Sequence, residues 1–213
     1  MSTLKIKIAN FFAKNSCDAW QSSRPVRKIC RGIYRFIMEF GARDYPYANP
    51  HFADWPECDE EGKYSLITDS CNFVIRRSPS YIAWKIKRIT GHWPKLPTPG
   101  KRNPGEHRFD AKHWDEVLEF NGWHKCDYGP IAEDADKGIH FVGVIASEGE
   151  FGQVVWFEGV ETVYEASNLF TKYWDVSTYT NFREENRFIL ASPLESKVVW
   201  YIEPIPGVTM PHK

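Results

Sequence analysis

Long apolar runs are missing from this chain. No stretch of its 213 residues approaches the ~20 successive apolar positions that a bilayer-spanning helix needs. Residues Met1 to Ser16 alternate Lys with Ile and Phe and hold no apolar core of roughly 7–15 residues. No secretory signal is therefore expected, and synthesis in the cytoplasm is. Paired cysteines are missing as well. Cys17, Cys30, Cys58, Cys71 and Cys126 are odd in number and scattered, with no C-x-x-C among them. That pattern argues against a zinc knuckle and against a full disulfide framework, and reduced, partly buried thiols are expected. The histidines His51, His92, His107, His113, His124, His140 and His212 include no i, i+4 pair. No metal site and no cofactor is expected from them.

What is present is aromatic area and a split of charge. Aromatics make up 15% of the chain and nine residues are Trp, enough to build a core. Trp84, Trp114 and Trp156 are expected as core anchors. Residues 1–43 carry nine Lys or Arg against Asp18 and Glu39, a net of +7, so residues 44–213 carry −8. The first segment reads as a basic helical appendage to one domain spanning 44–213. Leu4, Ile8, Phe11 and Phe12 fall on one helical face. After Pro25, Val26, Ile29, Cys30, Ile33, Ile37 and Phe40 do the same, with Arg27, Lys28, Arg31 and Arg35 on the other side and Gly41 as the stop. Two uses compete: packing of the stripes on the chain's own acidic domain, or a protein partner held by Arg27, Lys28, Arg31 and Arg35. Nucleic acid fits less well, because the interleaved aromatic and glycine pattern of single-strand binders is lacking.

Along the rest of the chain, residues 44–64 read as an ordered loop anchored by Tyr45, Tyr47, Phe52 and Trp55. Its acidic turn Asp59-Glu60-Glu61-Gly62 lacks calcium-loop spacing and reads as solvated, as does Asp134–Gly138. Ser78 as N-cap, Pro79 at the first helical position and the spacing of Tyr81, Ile82, Lys85, Ile86 and Ile89 predict a helix over Ser78–Thr90. Residues 91–105, rich in Pro, Gly and Lys, read as a connection, and a second helix is predicted over Ala111–Asn121, stopped by Gly122. Strands are predicted at 139–146 and 153–158, paired antiparallel, then at 174–180, 187–191 and 197–202. Helices followed by a run of strands give an α+β class with helices on an antiparallel sheet.

Several of these segments, in order, resemble the CHAP family of cysteine amidases and endopeptidases that cut peptidoglycan. The segments are Tyr45-Pro46-Tyr47, Trp55, Ser78-Pro79-Ser80-Tyr81-Ile82-Ala83-Trp84-Lys85, Ala111-Lys112-His113-Trp114, Gly152-Gln153-Val154-Val155-Trp156, Val176-Ser177-Thr178-Tyr179 and Trp200-Tyr201-Ile202. The match covers roughly residues 44–206, and the Ser78–Ile86 and Phe151–Glu158 segments are the more specific. The resemblance implies a papain-like fold and, for a cell-wall enzyme without a signal, release by lysis or carriage in a phage particle.

The three positions that carry the family's chemistry are changed. By the resemblance the nucleophilic Cys falls on Ser78, the general-base His on Gln153 and the orienting Glu on Thr178. A hydroxyl needs an adjacent base to attack, and an amide cannot take its proton. The three changes together imply a pseudoenzyme, a degenerate module for binding, assembly or inhibition. Ser78, Gln153, Trp156 and Tyr179 would line a relict groove able to hold a peptide or protein uncut. The competing readings are an active cell-wall hydrolase, with Ser78 itself or a displaced Cys71 as nucleophile and His140 as a substitute base, and a nucleic-acid or anionic-surface binder acting through residues 1–43.

Overall fold

A computed structural model describes residues 3–14, 24–40, 42, 45–47, 69–71, 73, 77–97, 110–149, 151–164, 170–180 and 183–204. The expected acidic turn at 59–62, Trp55 and the cysteines 17 and 58 lie outside these. The chain forms two compact units, Met1–Arg76 and Arg77–Lys213. The division falls after Arg76, whereas the composition shift lies near residue 43.

In the first unit α1 (Thr3–Lys14) packs against α2 (Arg24–Glu39). The buried stripe of α2 is Cys30, Tyr34 and Met38, at i, i+4 and i+8. This differs from the predicted face: Cys30 is shared, but Val26, Ile29 and Phe40 are exposed. The reason is a tyrosine cluster distant in sequence. Tyr34 meets Tyr47 with ring centroids 6.1 Å apart, Tyr45 meets Tyr47 at 5.6 Å, and the Tyr47 hydroxyl donates to Glu39 Oε1 at 2.5 Å. Glu39 also accepts from the Ser70 amide and hydroxyl. Asp69 Oδ1 accepts the amides of Cys71 (2.8 Å) and Phe73 (3.0 Å), closing a turn of the kind aspartate favours.

The second unit begins with α3 (Ser78–Thr90), over the residues its sequence predicts. Its start differs in one position. Arg77 is the extended N-cap, so Ser78 and Pro79 are the first helical residues and the Ser78 side chain is free for another partner. Gly91 ends the helix with φ 79°, a conformation glycine adopts without strain, its amide reaching Lys87 O at 2.8 Å. The second predicted helix is a 3₁₀ turn, Ala111–His113, followed by α4, Trp114–Phe120. Asp134–Gly138 was expected as a solvated turn; its first three residues belong instead to the short helix α5 (Ala132–Asp136), whose Asp134 carboxylate accepts the Ile131 amide.

The strands are β1 (His124–Lys125), β2 (Phe141–Ile145), β3 (Gln153–Tyr164), β4 (Phe170–Thr180), β5 (Arg183–Leu190) and, after a short helix α6 (Pro193–Ser196), β6 (Val199–Ile202). They form one antiparallel sheet in the order β1-β6-β2-β3-β4-β5. The fold class is α+β, as predicted. Strands β3 to β5 run longer than predicted, because their outer halves pair with each other while standing exposed.

Both faces of the inner sheet are covered. Phe141, Val155, Phe157, Trp174, Val176 and Trp200 build the core of one face, with Ala135 of α5 and Ile139 packed on it. On the other face α3 packs against β3 and β4. Trp84, Trp114 and Trp156 are all buried, in the anchoring role expected of them.

Candidate functional site

By the resemblance, Ser78 of α3 was expected to stand with Gln153 and Thr178. Period-two alternation assigns Val154 and Trp156 to the α3 face of the sheet and Gln153, Val155 and Phe157 to the opposite one. Contacts agree with this. Tyr81 of α3 lies 5.9 Å from the Tyr179 ring, its hydroxyl donates to Glu184 Oε1 (2.5 Å) and stands 3.2 Å from Ser177 Oγ, and Lys85 Nζ stands 5.8 Å over Trp156. Ser177 Oγ and Lys85 Nζ both donate to Glu158 Oε1, at 2.5 and 2.8 Å. Burial, reinforced by the bond to Glu184, raises the Tyr81 phenol pKa well above its ordinary value, so it stays a donor.

Ser78 is buried at the start of α3, and its Oγ accepts the amide of Val154 at 3.3 Å. Thr178 Oγ1 donates to the carbonyl of the same residue at 2.8 Å. The cause lies in the ladder. Pairing of β3 with β4 runs from Tyr164↔Phe170 to Trp156↔Ser177 and ends there. Had the register continued, Val154 would face Tyr179. The strands part instead, and two hydroxyls take the backbone groups that the neighbouring strand leaves unpaired.

Gln153 is not part of this contact. Its side chain lies on the other face, where Arg187 Nη1 donates to its Oε1; the same nitrogen donates to Glu148 Oε1 at 2.5 Å. Ser78 and Thr178 are thus brought together at Val154, while Gln153 is sent away from Ser78. The step before it, Gly152 at φ 72°, lies so close to the 3₁₀ turn that an added Cβ would stand 2.7 Å from Lys112 N, and Lys112 N bonds to Phe151 O at 2.9 Å. The segments 111–113 and 151–154 therefore seat each other.

The four residues expected to line a groove, Ser78, Gln153, Trp156 and Tyr179, are each 6% exposed or less. They are packed interior. His140 is engaged elsewhere too: its Nδ1 lies 2.8 Å from Glu203 Oε1, and its ring rests on Trp156 at 5.3 Å. Cys71 belongs to the first unit, buried in the Asp69 turn. Burial pushes the Cys126 thiol up to about 11, so it is not an activated nucleophile either.

Of the cations assigned to a partner, Lys28 is exposed, while Arg31 and Arg35 are half-buried, and the Arg27 side chain lies outside the described set. Burial lowers the Arg35 pKa, against the opposing pull of Tyr47, Asp69 and Glu39 nearby. Arg35 therefore answers charges of its own unit. Among the described residues no group of three His, Cys, Asp or Glu side chains is placed to hold a metal ion, and no helix is long and apolar enough to cross a membrane. No family model, no curated protein and no solved structure matches the chain.

Proposed function

We propose that the second unit is a CHAP-like, papain-like scaffold that does not cut, and that the chain works as a binding or assembly module. The observation that carries this reading is the pair of bonds at Val154. The hydroxyl in the nucleophile's place serves as acceptor for a strand amide, and the hydroxyl in the orienting position serves a strand carbonyl. Among the described residues no imidazole or carboxylate is hydrogen-bonded to Ser78 Oγ, whose bond is to the Val154 amide, so no general base is engaged with it.

Because the former groove is packed with its own side chains, binding is assigned to the outer surface. The long β3–β4–β5 extension exposes Val163, Tyr164, Phe170 and Phe188, with the Tyr164 and Phe170 rings 4.9 Å apart. An exposed aromatic cluster of this kind is a common feature of protein-binding surfaces.

The test is incubation of the purified chain with peptidoglycan, followed by turbidity and by the release of new amino termini. Neither should change. Clearing accompanied by new termini would replace this reading with that of a cell-wall hydrolase.

A further inference from the structure

Strand β5 closes one end of the sheet, and half of its backbone points away from it. Ala191 N–H donates to Lys172 O at 2.9 Å, one step beyond the pair Tyr173↔Leu190, and the register runs from there without a break to Thr180↔Arg183. Antiparallel ladders alternate bonded with non-bonded pairs, so Ala191 fixes the phase. Arg183, Glu185, Arg187 and Ile189 turn their N–H and C=O groups toward β4. Glu184, Asn186 and Phe188 turn theirs outward, and among the described residues these outward groups make no hydrogen bond. All three residues are exposed. Leu190 also faces out, but its carbonyl accepts the Ser192 amide at 2.7 Å.

A row of unpaired donors and acceptors is a template for one more strand. Charges along an edge normally discourage such pairing, and β5 carries four of them, on Arg183, Glu184, Glu185 and Arg187. Their order closes some registers and opens one. When two copies meet about a two-fold axis, centring on Glu184, Glu185 or Arg187 sets that charge against itself. Centring on Phe188 needs the Leu190 carbonyl, which Ser192 already holds.

Centring on Asn186 has neither fault. Asn186 then stands opposite Asn186, Glu184 opposite Phe188, and Glu185 opposite Arg187 on both sides of the axis. The backbone agrees with the side chains. The three outward residues of each strand become bonded pairs, with six N–H···O=C bonds between the copies. Glu185 and Arg187 become the non-bonded pairs, in which facing side chains stand closest. Arg187 commits Nη1 to Gln153 and Glu148, which leaves other guanidinium donors for a carboxylate.

We propose that β5 is a dimerisation edge, where two copies of this chain pair antiparallel about Asn186 and join their sheets into one. An extended segment of another protein could use the same backbone groups; the order of the charges is what selects β5 itself. The proposal rests on β5 alone and not on whether the second unit cuts cell walls.

The experiment is light scattering coupled to gel filtration on the full chain, from low to high micromolar concentration. A dimer is expected that dissociates on dilution. Asn186→Pro removes an N–H that β4 does not use, and proline is tolerated on edge strands. It should raise the dissociation constant at least about tenfold with unchanged circular dichroism. Glu185→Arg and Arg187→Glu should each be monomeric alone. Mixed, they should form a one-to-one dimer, because each then meets opposite charges on the other. A wild-type chain that is monomeric at every concentration overturns the proposal, as does a dimer that Asn186→Pro leaves intact. Folded charge variants that stay monomeric when mixed overturn the register about Asn186.

Discussion

The Ser78 and Thr178 hydroxyls hold the two ends of one residue: Val154 donates its amide to the first and lends its carbonyl to the second. Both groups are buried where β3 and β4 separate. Removing either hydroxyl strands a backbone group without water. Ser78→Ala and Thr178→Val should each cost about 1–3 kcal/mol in urea denaturation. The double variant should lose less than the sum, because both act on the same residue. A loss below a few tenths of a kcal/mol for both would show that β3 does not depend on them.

The geometry also predicts the outcome of supplying the two residue types that the proposed CHAP-like reading would require. Ser78→Cys supplies a thiol at a helix start, and Gln153→His supplies an imidazole, but position 153 faces Arg187 on the far side of the sheet. Ser78→Cys combined with Gln153→His should therefore release no new amino termini from peptidoglycan. Absorbance titration of the introduced thiol should give the same pKa with and without Gln153→His. A fall in that pKa when the histidine is added would mean that the two side chains meet after all.

How much of this was legible in the sequence depended on whether neighbouring residues differ in polarity. Pro79 and Gly91 marked α3 because each has a backbone preference of its own. The β2–β3 pair was legible from an apolar run broken by Ser147–Glu150. The face taken by Gln153 was not, because Val154, Val155, Trp156 and Phe157 are all apolar and all buried; a strand covered on both sides has no amphipathic phase to read. The same applies to α2. Its apolar arc is wide enough to offer two stripes, and Tyr47, distant in sequence, meets Tyr34 of the buried one. The arc was visible as a pattern, but the exposure of Val26, Ile29 and Phe40 was not. The two-residue β1 and the five-residue α5 were too short for any periodicity.

Gly129 lies flat against Trp174. An added Cβ would stand 1.9 Å from Cζ2 of that ring, and the ring is pinned by its Nε1, which donates to Pro130 O at 2.9 Å. Trp174 is also stacked edge-on to Trp200 at 5.1 Å, so it has no room to withdraw. Gly129→Ala should destabilise the second unit by about 1–3 kcal/mol or more, the usual cost of overpacking. Differential scanning calorimetry checks this. An unchanged midpoint would show that the 129–130 segment moves aside freely.

Asp175 should set a pH dependence of opposite sign to that of a stabilising ion pair. It lies on β4 with Oδ1 shut off from water and without a hydrogen-bond partner among the described residues. Burial raises its carboxyl pKa, and the charges of Glu158 and Glu161 raise it further. A carboxyl whose folded value exceeds its unfolded value binds protons more readily in the native state. It favours folding below the unfolded value, and that contribution is lost as pH climbs through the raised one. At neutral pH the ionised group is therefore a liability that an amide of the same shape removes. Asp175→Asn should stabilise the chain at pH 7 by roughly 0.5 kcal/mol, small because the side chain is largely screened by solvent. The gain should shrink as pH falls below the ordinary carboxylate range, where the wild-type group is protonated in both states. Urea midpoints at several pH values measure the difference directly. A substitution that destabilises at pH 7, with a deficit that disappears in acid, would mean that the Asp175 carboxylate is held by a favourable partner instead.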